Sequence, residues 1–264
     1  MSAQQTYKAI TYNIRWSNPD DGDDIWDNRR EGIGNFFLEE KADFIGLQEA
    51  LEGQLQYLDR YLDKYDYIGV GRDDGEAEGE FCPLFYDSTK WEKIEYSTIW
   101  LSDTPDQVSR GWDAACNRLV TFGLFRNKIS EDTLAVYNTH LDHKGDIARK
   151  ESIGTIKAFV ERTGKGHEQI ILGDFNMTTT TSMYREMVKN FNDARIAANH
   201  HYEEHSGTFN GFRLNGKYKR RIDYIFTSKT LPVLQYDCPD LRIDGRHLSD
   251  HFPIIAIVKI KDAH

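Results

Sequence analysis

Short apolar runs at 8–12, 44–47, 84–86, 119–125, 134–138, 169–172, 222–227 and 254–260 punctuate the 264-residue chain. None is long enough to stand alone as a helix, and all are rich in Ile, Val, Phe or Tyr, which suit a pleated, half-buried surface. Each therefore predicts a strand. One-sided stripes at helical spacing lie between them: Ile33, Phe36 and Phe37; Leu51, Leu55, Leu58 and Leu62; Ile153, Ile156, Phe159 and Val160; Met183, Met187, Val188 and Phe191. Strands mixed with amphipathic helices in this way predict two sheets packed face to face with helices outside. No Pro/Gly/Ser-rich linker and no solenoid-period repeat divides the pattern, so one domain over 1–264 is expected. The polar stretch 69–80 reads as a surface loop.

Charge and cysteine usage narrow the function classes. The chain has 43 acidic against 33 basic side chains, a formal charge of −10, which argues against a protein that coats duplex nucleic acid by neutralising phosphates. No run approaches the roughly 20 apolar residues of a membrane span. No basic and apolar leader precedes the first predicted strand, so a cytoplasmic protein is expected. Cys82, Cys116 and Cys238 are odd in number and show no C-x-x-C spacing, so they read as free thiols rather than as a disulfide framework or zinc ribbon.

Chemistry collects where the runs end. Asn13 closes the first run and Glu49 the second (FIGLQEA); His140 and Asp142 close VYNTHLDH; Asp174 and Asn176 close IILGDFN. Asp223 interrupts RRIDYIF, and Asp250 and His251 precede the last run in LSDHFPII. Six places that all supply carboxylate, amide or imidazole predict ligands gathered at one rim of a sheet sandwich. Oxygen donors without thiols suit a hard cation such as Mg²⁺ or Mn²⁺. A serine-hydrolase triad from 249–251 is rejected, because three consecutive residues do not converge their side chains and no G-x-S-x-G elbow is present.

The ordered set Asn13 in YNIR, Glu49 in LQE, His140 in NTHLD, Asp174 and Asn176 in GDFN, Asp223 in IDYIF, and SDH at 249–251 resembles the endonuclease/exonuclease/phosphatase superfamily. The resemblance runs from about residue 7 to residue 260, and the irregular stretch 97–117 together with GEFCPLFY at 79–86 looks similar to a bacterial branch of poorly defined substrate. It implies a four-layered α/β/β/α sandwich of two packed mixed sheets flanked by helices. It also implies Mg²⁺ or Mn²⁺ as cofactor, with Glu49 the principal ligand and Asn13 and Asp250 beside it. Asp174 and Asn176 would orient the attacking water and hold phosphate oxygens. His251, paired with Asp223, would donate to the scissile phosphate, and His140 would act near the leaving group or phosphate. Arg118 would contact phosphate, its competing reading being a surface ion pair.

The expected reaction is hydrolysis of a phosphoester by direct water attack. A small phosphodiester or phosphomonoester, such as a sugar or nucleotide phosphate, is preferred over nucleic acid on charge. The alternative is a Mg²⁺-dependent nuclease acting on DNA or RNA, and a catalytically dead binding module is disfavoured because no position of the set is substituted. Three features keep two readings each. Asp142 orients His140 or is a solvated loop acid. Lys217, Lys219, Arg220 and Arg221 surround an Asn215–Gly216 turn as a solvated hairpin tip, the favoured reading, or as an edge that steers anions. Trp100 and Trp112 pack down as core lids or stack on a sugar or base. Arg149 is expected to open a helix and pair with a carboxylate.

Overall fold

The computed structural model describes residues 5–260. In chain order the elements are β1 (Thr6–Asn13), α1 (Trp26–Glu40), β2 (Phe44–Gln48), α2 (Glu52–Tyr61), β3 (Tyr65–Ile68), β4 (Leu84–Asp87) and β5 (Trp91–Trp100). There follow β6 (Leu119–Asn127), β7 (Thr133–His140), α3 (Asp146–Thr163), β8 (Glu168–Asp174), α4 (Ser182–Asn190), β9 (Phe191–Asp193) and α5 (Ala194–Ala197). The chain continues through β10 (His200–Glu203), β11 (Asp223–Ser228), β12 (Val233–Cys238), β13 (Arg242–Ile243), β14 (Arg246–His247) and β15 (Ile254–Lys259). Seven strands form one mixed sheet in the order β10-β12-β15-β1-β2-β4-β3, and six form the other in the order β5-β6-β7-β8-β11-β9.

Successive strand residues point to opposite faces, and here both faces are covered. Ala9, Phe44, Val136, Leu172 and Ile225 fill the core between the sheets. Their neighbours Ile10 and Ile45 face α1 and α2, meeting Ile33, Phe37, Leu55 and Leu58. Tyr137, Ile171 and Phe226 face α3 and α4, meeting Ile153, Ile156, Phe159 and Met187. Three apolar cores thus separate four layers, as the sequence predicts. The helical stripes are the faces that cover the sheets, except that Phe191 begins β9 instead of closing α4.

The inter-sheet core turns polar toward one end. Gln48 Nε2 donates to Thr11 Oγ1 at 3.0 Å and to Asn138 Oδ1 at 2.7 Å, while Asn138 Nδ2 donates to the carbonyls of Leu47 and Pro83, both at 2.7 Å. Gly46 lets the sheets close here: a Cβ on it would lie 2.8 Å from the Asn138 side chain and 2.9 Å from Leu172. Just beyond this layer is the site.

Several elements differ from the sequence reading. The segment 97–117 is not wholly irregular, since 97–100 belong to β5, an antiparallel neighbour of β6. Buried Trp100 donates from Nε1 to the Arg72 carbonyl at 2.8 Å, which settles it as a packing residue. The Asn215–Gly216 turn has no regular strands on its flanks, although Thr208 and Phe209 both donate backbone N–H to the Arg220 carbonyl. Among the described residues no helix is long and apolar enough to cross a membrane.

Candidate active site

Inward-facing parity carries the apolar core into the site. On β1 the inward series Ala9, Thr11 ends in Asn13; on β7 the series Leu134, Val136, Asn138 ends in His140; on β8 Leu172 leads to Asp174; and on β11 Ile225 leads back to Asp223. Register aligns three of these, with His140 beside Asp174 and Asp174 beside Asp223. Asn13 reaches across from the other sheet, its Nδ2 donating to Asp174 Oδ2 at 3.2 Å and to Glu49 Oε1 at 3.0 Å. The backbone turns sharply at the rim: Arg15, Glu49 and Asn176 have φ of +58°, +62° and +46°. Non-glycine residues hold this left-handed conformation only where surrounding contacts enforce it. At Glu49 those contacts include the Trp16 N–H, which donates to Oε2 at 3.2 Å.

His251 and Asp223 form a buried pair, with Nδ1 2.9 Å from Asp223 Oδ2 and 3.1 Å from Oδ1. Thr208 Oγ1 donates to the same carboxylate and accepts the Ile222 and Asp223 N–H groups, fixing its plane. Burial alone would push the imidazole down, but Asp223 outweighs it and lifts His251 to about 10. The ring is therefore cationic at neutral pH, with Nε2 3.8 Å from Asp174 Oδ2. Ser249 Oγ donates to the Asn13 carbonyl at 2.6 Å, so it ties β1 to the 249–251 turn and is no nucleophile.

His140 is also buried, and it behaves differently. Burial first, then the nearby cations Arg118 and His251, push it well below its ordinary value. Asn176 Nδ2 donates to the Leu141 carbonyl at 3.0 Å and meets His140 Nε2 at 3.1 Å. The other ring nitrogen has no hydrogen-bond partner and faces Glu80 Oε2 at 4.0 Å. Glu80 in turn accepts from Arg72 Nη1 at 2.6 Å. Neither Glu80 nor Arg72 is foreseen from sequence: both sit in 69–80, where no periodicity marks which residues turn inward. That stretch is a surface loop only in its middle; its two ends line the cleft.

The cleft has a volume of about 450 Å³, and its walls include Arg15, Trp16, Glu49, Arg72, Glu80, Arg118, His140, His143, Asp174, Asn176, Phe209, Arg220, Asp250 and His251. Arg118 is buried, not superficial, and pairs with Asp142 at 3.3 Å. Asp142 neither orients His140 nor is solvated. It accepts the N–H groups of Ala115, Lys144 and Gly145 as well as Arg118, which overcome its burial and hold it below the usual carboxylate range. Arg220 lies at the cleft, stacked over Phe209, whereas Arg221 is withdrawn into a bidentate pair with buried Asp193. Arg149 opens α3 and pairs with Asp146, as expected. Cys116 lines the cleft as a half-buried free thiol, while Cys82 and Cys238 are buried.

The donor set accepts a hard divalent cation. Burial and the charge of Asp223 push Asp174 up to about 7; burial and the charge of Glu49 push Asp250 upward. Carboxylates that raise one another leave a surplus of negative charge, and Arg15, 4.0 Å from Glu49, is already committed to Asp21. Oxygen ligands carrying that surplus are what Mg²⁺ or Mn²⁺ requires. Asp223 holds His251 at Nδ1 and leaves Nε2 turned toward Asp174.

Two inward-facing sheets that deliver a carboxylate-held imidazole, a second histidine, an amide and several free carboxylates into one cleft define the phosphoester-hydrolase class of α/β/β/α sandwich. The chain belongs to the endonuclease/exonuclease/phosphatase family, whose model matches residues 10–251. A family protein from Bacteroides thetaiotaomicron superposes with a TM-score of 0.94 at 32% identity, covering 98% of this chain and 99% of that one. The mannosyl-6-phosphatase of Bacteroides thetaiotaomicron VPI-5482 superposes with a TM-score of 0.90 at 34% identity, covering 96% of this chain and 99% of its own. An uncharacterised protein of Acanthamoeba polyphaga mimivirus is 28% identical over 249 residues, 88% of this chain and 91% of that protein.

Proposed function

We infer that the protein is a Mg²⁺- or Mn²⁺-dependent phosphomonoesterase of small phosphorylated molecules, with a sugar phosphate as the leading substrate. The observation that carries the chemistry is the row His140–Asp174–Asp223 with His251 and Asn176 turned into one cleft. The substrate class rests on the size of that cleft, about 450 Å³, which is roomy enough for a monosaccharide phosphate. The likeness to a mannosyl-6-phosphatase over nearly the whole of both chains supports it.

Glu49, Asp250 and Asn13 would hold the cation, with Asp174 at its edge. When bound, the cation withdraws charge from the phosphate and favours an ionised water. The remaining work falls to the chain. Ionised Asp174 accepts from the attacking water and points it at phosphorus, since Asn13 and the Asn176 N–H already fix the carboxylate plane. The His251 Nε2–H donates to a non-bridging oxygen, where negative charge grows as the bond to water forms. Asp223 keeps His251 protonated throughout. His140 lines the cleft with Glu80 behind it and accepts from Asn176 Nδ2, and the departing oxygen takes its proton from solvent.

The test is a Mg²⁺ and Mn²⁺ titration against mannose 6-phosphate, a chromogenic phosphodiester, abasic duplex DNA and oligoadenylate, with Asp174→Asn as control. Turnover of the monoester above the others, lost in the control, is the expected result. Preferential cleavage of either nucleic acid replaces this reading with the nuclease one.

A further inference from the structure

His143 lines the same cleft but has no part in the chemistry above. Its ring is fixed by an obligate donor. Arg118 Nη2 lies 3.0 Å from His143 Nδ1, and a guanidinium has no lone pair to offer. Nδ1 must therefore accept, and the ring proton must sit on Nε2. Arg118 is not free to turn away: it is buried, and its Nε donates to Asp142 at 3.3 Å. Asp142 is saturated in turn, with Lys144 and Gly145 on one oxygen at 2.9 and 2.7 Å, and Ala115 at 3.1 Å sharing the other with Arg118. The chain Asp142–Arg118–His143 has one outcome, a neutral imidazole whose Nε2–H meets no protein acceptor among the described residues. His143 is exposed where it lines the cleft, and its partial desolvation and the adjacent Arg118 charge hold it below its ordinary value.

The charge balance of this wall says what it suits. Arg118 is neutralised by Asp142, Arg72 by Glu80 at 2.6 Å, and His143 is uncharged. The wall is therefore rich in N–H donors yet nearly neutral. A second phosphate would call for an unbalanced cation here, whereas hydroxyl oxygens of a polyol are satisfied by neutral donors. The neighbouring thiol, carboxylate and imidazole of Cys116, Asp142 and His143 come close enough to suggest a cation site. That site is closed, because Asp142 and the inner ring nitrogen are already spent on protein donors and a guanidinium stands among them.

We propose that His143, oriented by Arg118, determines specificity by donating its Nε2–H to a ring hydroxyl of the leaving sugar. The proposal rests on the phosphomonoesterase reading. It is tested with two primary phosphate esters that differ in the ring hydroxyls and the ring oxygen, mannose 6-phosphate and cyclohexylmethyl phosphate. His143→Ala is expected to lower kcat/KM for mannose 6-phosphate by about tenfold while changing cyclohexylmethyl phosphate by less than about twofold, the size of one neutral hydrogen bond. His143→Gln, which keeps a donor, restores most of the loss, and thermal melts establish that both variants fold. Equal losses on the two esters, or no loss on either, overturn the proposal alone. Wild-type protein that turns over neither ester with either metal overturns the phosphomonoesterase reading and this proposal with it.

Discussion

A single carboxylate sets the character of the His251 imidazole in the cleft. Asp223 has two jobs, holding His251 by Nδ1 and keeping it charged, and neither requires Asp223 to touch substrate. Asp223→Asn should therefore lower kcat by about 10²–10⁴-fold while leaving the fold intact, measurable as steady-state rate against far-UV circular dichroism. The same pair makes a prediction in pH. A histidine whose folded pKa is raised contributes stability that is fully present below the unfolded value, near 6.5, and is lost as pH climbs through about 10. The melting-temperature advantage of wild type over Asp223→Asn should be widest near pH 6.5 and narrow toward pH 10. A gap that widens with pH contradicts the pairing. Asn176 fixes the cleft wall, with its amide on His140 and the Leu141 carbonyl; Asn176→Ala should lower kcat by about 10²-fold with little change in KM.

At the scale of strands and helices, parity is what made the site legible. Asn13, His140, Asp174 and Asp223 lie on inward positions at the ends of strands whose inner faces begin apolar, so the sequence shows them as polar endings of apolar runs. Glu80, Arg72, Thr208 and His143 reach the cleft or its support from irregular segments, where side-chain direction follows from tertiary contacts and no period reveals it. Strand β5 was missed for a related reason. It is an edge strand with one face in solvent, and charged residues such as Glu92, Lys93 and Glu95 mask its pattern. The close approach of the two sheets offers a test of the layer that carries the site. Gly46→Val forces branches into Asn138 and Leu172, and a destabilisation of about 1–3 kcal/mol by urea unfolding is expected. A neutral result means that the sheets do not meet as tightly at Gly46.

For the whole molecule, the four layers serve one end: they bring acids that repel one another into a rim that a cation would neutralise. Glu49 and Asp250 stand on opposite sides of β1, one after β2 and the other just before β15, so only the folded sheet brings them together. A cation that binds only this assembly must stabilise it. At a hundred times its dissociation constant the gain is about 2.7 kcal/mol, or several degrees in Tm for a chain of this size. Scanning calorimetry should show that shift with Mg²⁺, and Glu49→Gln should largely abolish it. The most direct test is the initial rate of phosphate release from mannose 6-phosphate as Mg²⁺ is titrated from full chelation to millimolar concentration. The rate should be near zero under chelator and rise to saturation in wild type, with Glu49→Gln requiring far more Mg²⁺. Release that continues undiminished under chelator contradicts the account.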